Sequence, residues 1–199
     1  MKRGLLVLAT YNEDKVKEIR SILGGKWELV SLNQFSPRLQ IAETGSSFEE
    51  NALIKAKAAH SLSGLPALAD DSGLCVDALN GLPGICSARF AGEHASAKEN
   101  NDRLLCMLQG VPFGKRTAKF VCCVALVGEV EHIETGEVEG KILESPRGNR
   151  GFGYDPLFLY PGKRKAFAQM KESEKNRVSH RGIAFRKMAS YLIENGFGA

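Results

Sequence analysis

The stretch GLLVLATYNEDKVKEIRSILGG, residues 4–25, decides the fold class. Gly4–Thr10 is an apolar run that ends on small polar residues, the pattern of a buried strand. From Lys15 onward, Val16, Ile19, Ile22 and Leu23 recur at helical spacing, and Gly24-Gly25 stops them. A strand that feeds a helix opens an alternating chain. Working outward, Glu28–Leu32 reads as a short strand and residues 33–45 as a loop. Ser47-x-x-Glu50 has the form of a capping box that opens a helix to Leu62, with Gly64 just past its end. Pro66–Asp70 is a short apolar segment, Asp71-Ser72-Gly73 a turn, and Leu74–Leu79 a strand. Gly81–Gly92 is irregular and Ala97–Leu108 helical. Thr117–Gly128 is a long strand on which Glu131–Leu143 pairs back. A glycine-rich loop at Ser145–Asp155 precedes a strand at Pro156–Tyr160. Lys171–Ser179 reads as polar loop and Gly182–Asn195 as an amphipathic helix. Early alternation with later clustering of strands predicts an α/β fold: a mixed β-sheet with flanking helices. No linker or repeat divides residues 1–199, so a single domain is expected.

Composition agrees with a globular chain. Of 199 residues, 43% are hydrophobic and 25% charged, which excludes disorder and fibrous repeats. No apolar run approaches the roughly 20 residues needed to cross a bilayer. Met1–Thr10 lacks the long apolar region and cleavage site of a secretory signal, and a cytoplasmic protein is expected. Five cysteines without a C-x-x-C pair suit small buried groups in a reducing compartment, and the four histidines show no ligand spacing. The net charge of +4 is unevenly spread. Residues 147–187 carry 11 Lys/Arg against 3 Asp/Glu, leaving 16 basic and 20 acidic residues elsewhere. Such a basic quarter suits an anionic ligand, or is simply a solvated face.

Five constellations carry chemistry. Thr10, Tyr11, Asn12, Glu13, Asp14 and Lys15 lie where the first strand becomes the first helix, where amides, a hydroxyl and an ammonium can cradle an anion; Thr and Asn there also serve as plain caps. Glu43-Thr44-Gly45 precedes a helix on which Asn51 and Lys55, spaced i, i+4, share a face, whether functional or merely solvated. Asp70-Asp71-Ser72-Gly73 places adjacent carboxylates after an apolar segment. Burying them without a cation is costly, and with Glu43 they suit Mg²⁺; the alternative is an Asx-capped turn. Gly148-x-x-Gly151-Phe152-Gly153-Tyr154-Asp155-Pro156 can stack a base on an aromatic ring or form a packed turn. Lys175, His180 and Arg181 precede a helix, where cations oppose the dipole and call for an anionic or acceptor-rich partner.

In order, these motifs resemble the inosine triphosphate pyrophosphatase family, the non-standard purine nucleoside triphosphate pyrophosphatases. The match runs over Thr10-x-Asn12-x-x-Lys15, Glu43-Thr44-Gly45-x-x-Phe48-x-x-Asn51-Ala52, Asp70-Asp71-Ser72-Gly73-Leu74 with Pro83-Gly84 and Ser87-Ala88-Arg89, Phe152-Gly153-Tyr154-Asp155-Pro156, and Glu174-Lys175-Asn176 with Ser179-His180-Arg181. The resemblance implies an elongated fold of two lobes around a central cleft, usually a homodimer. It also implies Mg²⁺-dependent hydrolysis of ITP, dITP or XTP to the monophosphate and pyrophosphate, which would clear deaminated purines. By the resemblance, residues 10–15 hold the phosphates, and Glu43 and Asp71 support the metal, with Asp71 also the base. Ser72, Phe152, Gly153, Tyr154, Asp155, Lys175, His180 and Arg181 surround the nucleoside. Arg181 and Lys175, which only donate, would satisfy a keto oxygen and reject an amine.

Two positions depart from the family pattern. Arg150 stands where a small residue is usual, and Ala166-Phe167-Ala168-Gln169 replaces Thr-x-Ala-Glu. Two other readings remain at this level. One is a pyrophosphatase for modified pyrimidine nucleotides. The other is a nucleic-acid-binding domain using the basic quarter, which lacks any RNP, zinc-finger or helix-turn-helix signature and would set paired acids against a phosphate backbone. Neither a nucleic acid nor a membrane is an expected partner.

Overall fold

The computed structural model describes residues 4–35 and 41–197. Its strands are β1 (Leu5–Leu8), β2 (Glu28–Ser31), β3 (Ala67–Val76), β4 (Thr117–Val127), β5 (Glu131–Ile142), β6 (Phe158–Tyr160) and β7 (Lys165–Ala166). Its helices are α1 (Glu13–Leu23), α2 (Phe48–Ser63), α3 (Ala97–Met107), α4 (Glu172–Val178) and α5 (His180–Glu194). The sheet order is β2-β1-β3-β4-β5-β6-β7. β1 runs parallel to both β2 and β3, whereas β6 is antiparallel to β5 and β7, so the sheet is mixed as expected. Part of the segment read as loop, residues 36–40, lies outside the described residues.

The chain folds into two compact units, which correspond to the two expected lobes. The first comprises Met1–Asp71, Cys122–Gly136 and His180–Ala199; the second comprises Ser72–Val121 and Glu137–Ser179. Each has its own core. In the first, Leu6 and Leu8 of β1, Val16, Ile19 and Leu23 of α1, Leu68, Val124, and Phe185, Met188 and Leu192 of α5 are buried together. Each such side chain contributes roughly 1.5–3 kcal/mol of apolar burial. α1 starts because Asn12 Oδ1 accepts from the amides of Asp14 and Lys15, and it ends at Gly24 in the left-handed region. α2 is capped by Ser47, which accepts from the Glu50 amide, and it lays Ala52, Ala56 and Ala59 into the interior. The expected capping box is half formed, because the Glu50 carboxylate accepts from the amide and hydroxyl of Ser46 instead of returning to Ser47.

In the second unit Leu74, Leu104, Leu108, Phe120, Ile142, Leu157, Phe158 and Phe167 form the core. The Phe158 ring lies 4.6 Å from Phe120 and 4.9 Å from Phe167 between centroids. The buried Arg116 guanidinium donates to the carbonyls of Leu108, the residue that caps α3, and of Val111 in the turn that follows.

Two sequence expectations are corrected. Asp71-Ser72-Gly73 is no turn: β3 runs extended through it from Ala67 to Val76. The two carboxylates stay within the strand because cations on neighbouring elements meet them. Nor is Lys171–Ser179 a loop. Glu172–Val178 is a helix, with acids Glu172 and Glu174 in its first turn and Lys175 and Arg177 in its last, both favoured by the dipole. Ser179 is extended and α5 begins at His180. Lys175 therefore sits in the last turn of a helix, where the dipole favours a cation. β7 was not foreseen; two residues are too few to show a period.

Candidate active site

In the first unit β3 delivers the adjacent carboxylates to opposite sides of a strand, and each meets its own partners. Asp70 is buried. Its Oδ2 lies 3.0 Å from Lys15 Nζ, and Arg181 reaches the same oxygen from Nη2 at 3.3 Å. Arg181 also donates from Nη1 to Glu18 Oε2 at 2.7 Å. Two carboxylates thus face two cations. Asp71, one residue on, accepts from Lys55 Nζ at 2.8 Å, and Lys55 reaches Glu43 Oε1 at the same distance. Here two carboxylates share one ammonium.

Asn51, fully buried on α2, holds this cluster in register. Its Oδ1 accepts from the Gly45 amide at 2.9 Å and its Nδ2 donates to Asp71 Oδ2 at 3.4 Å. Gly45 has no room for a side chain: a Cβ there would sit 2.7 Å from Glu50 Cβ and 2.8 Å from Asn51 Oδ1. Burial pushes the Asp71 carboxyl above the usual aspartate range, against the downward pull of Lys55. Burial alone would lower Lys55, but Asp71, Asp70 and Glu43 outweigh it and hold the ammonium protonated.

The remaining first-unit candidates fall at the start of α1 and of α5. Thr10 Oγ1 accepts from the Asn12 amide at 3.2 Å, so both residues shape the turn. Tyr11, Glu13 and Asp14 are exposed there. His180 is buried in the first turn of α5. The Arg181 guanidinium donates to Glu18 Oε2 and to Asp70 Oδ2.

The second unit holds the aromatic loop. Asp155 Oδ2 accepts from the Phe152 amide at 2.9 Å and from Lys175 Nζ at 2.6 Å. Lys175 Nζ lies 4.9 Å from the Phe152 ring centroid, a cation–π pair that braces the half-buried ring. Gly151, at φ +71°, is required because a Cβ would collide with the Asp155 carboxylate. Tyr154 donates to the Ser87 carbonyl at 2.9 Å; burial pushes its phenol up, so it remains a donor. The Gly153 carbonyl accepts from Asn101 at 3.0 Å. Ser72, half-buried on β3, also belongs to this unit. The departure at Gln169 is a conservative one: its Oε1 accepts from the Ala166 amide and caps a short turn, work a glutamate would do equally.

Sequence reasoning left Asn51 and Lys55 undecided and did not see Glu18 or Asn101. The i, i+4 spacing found the first pair, but only the Asp71 side chain beside it distinguishes a site from a solvated face.

Residues 6–191 match the Ham1 family, which is nearly the whole chain. The chain belongs to the Ham1 family. Among Ham1 relatives, a dITP/XTP pyrophosphatase of Geobacter sulfurreducens is 50% identical, over 94% of this chain and 96% of that protein. One of Frankia alni is 47% identical over 95% and 97%. The Ham1 protein of Staphylococcus aureus superposes with a TM-score of 0.87 at 37% identity, covering 96% of this chain and 99% of that one. A HAM1 protein of Coxiella burnetii gives the same score at 40% identity, over 96% and 99%. The mixed sheet and its flanking helices are therefore the Ham1 fold.

Proposed function

We infer that this chain is a nucleoside triphosphate pyrophosphatase that hydrolyses non-standard purine nucleotides, of the dITP and XTP kind. The observation that carries the reading is the Asp71–Lys55–Glu43 cluster, set one residue from the Asp70–Lys15 pair at the start of α1. The family supplies the substrate class through relatives that bear that activity. In the first unit, Asp71 takes a proton from the attacking water. Lys15 and Lys55 hold phosphate oxygens. As the water oxygen bonds to the α phosphorus, the bridging oxygen leaves with pyrophosphate.

Mg²⁺ is proposed as the cofactor. Among the described residues no group of three or more His, Cys, Asp or Glu could hold a metal. The two carboxylates of Glu43 and Asp71 nevertheless fit Mg²⁺, which is commonly held by one or two carboxylates with waters and substrate phosphates. When bound, the ion would neutralise phosphate oxygens and lower the pKa of a bound water.

In the second unit, the ring of Phe152 offers a stacking face, and the backbone from Phe152 to Asp155 offers the polar contacts. Lys175 braces that loop. A homodimer and a cytoplasmic location are proposed with it; none of the described helices is long and apolar enough to cross a membrane, and the described cysteines are free thiols.

A nucleotide panel tests the reading. ITP, XTP and ATP are supplied with Mg²⁺, and pyrophosphate is scored against orthophosphate. The expected result is pyrophosphate from ITP and XTP, lost on chelation and restored by Mg²⁺. Orthophosphate as the direct product would overturn it.

A further inference from the structure

Asn100 and Asn101 are neighbours on α3, and both are buried. Asn100 uses both ends of its amide, accepting from the Ala91 amide at 2.7 Å and donating to the Ala88 carbonyl at 3.0 Å. It ties α3 to the chain before it. Asn101 uses one end. Nδ2 donates to the Gly153 carbonyl at 3.0 Å, while Oδ1 is buried with no hydrogen-bond partner among the described residues. Turning the amide over would set its oxygen against the Gly153 oxygen, so the orientation is fixed by the acceptor. A buried acceptor without a partner costs stability. Leucine would fill the same space without that cost and favour the helix. What asparagine supplies here is the donor to Gly153.

Gly153 is the apex of the aromatic loop. One side is held by Asp155, which grips the Phe152 amide and Lys175. The other is held by Tyr154, whose hydroxyl reaches Ser87. At φ +60° and without a side chain, Gly153 has nothing of its own to fix its carbonyl. That carbonyl and the Tyr154 amide share one peptide plane, so whatever holds the oxygen also aims the amide.

We propose that Asn101 is a positioning residue for base selection: through Gly153 it fixes the peptide plane at the apex of the Phe152–Asp155 loop. The proposal rests on the reading of that loop as the base-recognising element. Asn101 does not touch the nucleotide; it narrows the loop to one arrangement, so that a base with the right acceptors and donors is bound without a further ordering cost.

The test compares Asn101→Leu and Asn101→Asp with the wild type. Kinetic constants are measured for ITP and ATP, with thermal melting as the folding control. The expected result is a fall in kcat/KM for ITP of about tenfold, carried mostly by KM, with ATP changed by less than about threefold, the pattern of lost selective contacts. Asn101→Leu should melt no lower than the wild type. A purely structural role would lower both nucleotides alike, and that outcome overturns the proposal. If the leucine variant does not fold, Asn101→Asp decides, since an ionised carboxylate of the same shape cannot donate to Gly153. Amide hydrogen exchange of residues 151–155 needs no substrate. It should quicken in either variant, and unchanged exchange also overturns the proposal. A wild type that releases no pyrophosphate would sink the functional reading, while the exchange result would still stand or fall separately.

Discussion

At the scale of single residues, Asp71 and Arg181 illustrate two fates of a buried charge. Asp71 is raised by burial and shares one ammonium with Glu43, so it is poised to take a proton. Asp71→Asn keeps the shape and removes the base; turnover should fall by roughly two or more orders of magnitude in a folded protein. The active form is the carboxylate, so activity is lost as pH falls through the raised pKa. Lys55 pulls that pKa down. Lys55→Met therefore moves the acid limb of the kcat/KM profile toward neutral pH, and an unmoved limb would assign the base elsewhere. Arg181 is different. It is 2% exposed and lies against Asp70 and Glu18. Arg181→Ala removes the guanidinium that bridges two buried carboxylates, and should destabilise by about 3–5 kcal/mol. Urea unfolding measures this. The ITP-to-ATP preference, taken on the folded fraction, should stay within about twofold, the span of an effect that touches stability and not selective contacts.

At the scale of elements, the regular pieces were legible where local chemistry decides them. α1 and α2 carry both their caps and their stops in the sequence, at Asn12 and Gly24 and at Ser47 and Gly64. β4 and β5 declare themselves by length. What was illegible depends on distant residues. Asp-Asp-Ser-Gly has the composition of a turn, and it becomes strand because Lys15, Lys55 and Arg181 arrive from α1, α2 and α5. Likewise, Lys175 beside polar neighbours reads as loop, and only the Asp155 carboxylate, 20 positions earlier, explains a buried ammonium. Of the candidate site, the acids and the aromatic loop were visible as motifs, whereas Asn51, Lys55 and Glu18 take their meaning from the side chains they touch. The loop carrying Glu43 offers a test at this scale. Gly45 packs against the first turn of α2, and its amide is clamped by Asn51. Gly45→Ala forces that loop outward, at a cost typical of overpacking, about 1–3 kcal/mol. Activity should fall more than stability, because Glu43 and the Asn51 contact to Asp71 move together. A variant with wild-type turnover would show that the Glu43 loop does not serve the site.

For the whole molecule, the two units are interleaved in sequence, and neither is a contiguous piece of chain. β3, β4 and β5 each contribute residues to both. A strand that loses its partners over half its length leaves backbone groups unpaired in the remainder, so melting of one unit exposes the ladder of the other. The units should therefore unfold together despite having separate cores. Trp27 is the only tryptophan; it is buried in the first unit, where its indole donates to the Phe197 carbonyl at 2.9 Å. Its fluorescence reports that unit alone. Phe158 is fully buried in the second core, and Phe158→Ala should cost about 3–5 kcal/mol there. With coupled units, the urea midpoint followed by Trp27 shifts down by as much as the midpoint followed by far-ultraviolet circular dichroism, and the two curves coincide. Were the units independent, the Trp27 curve would stay at its wild-type midpoint while the dichroism split into two steps.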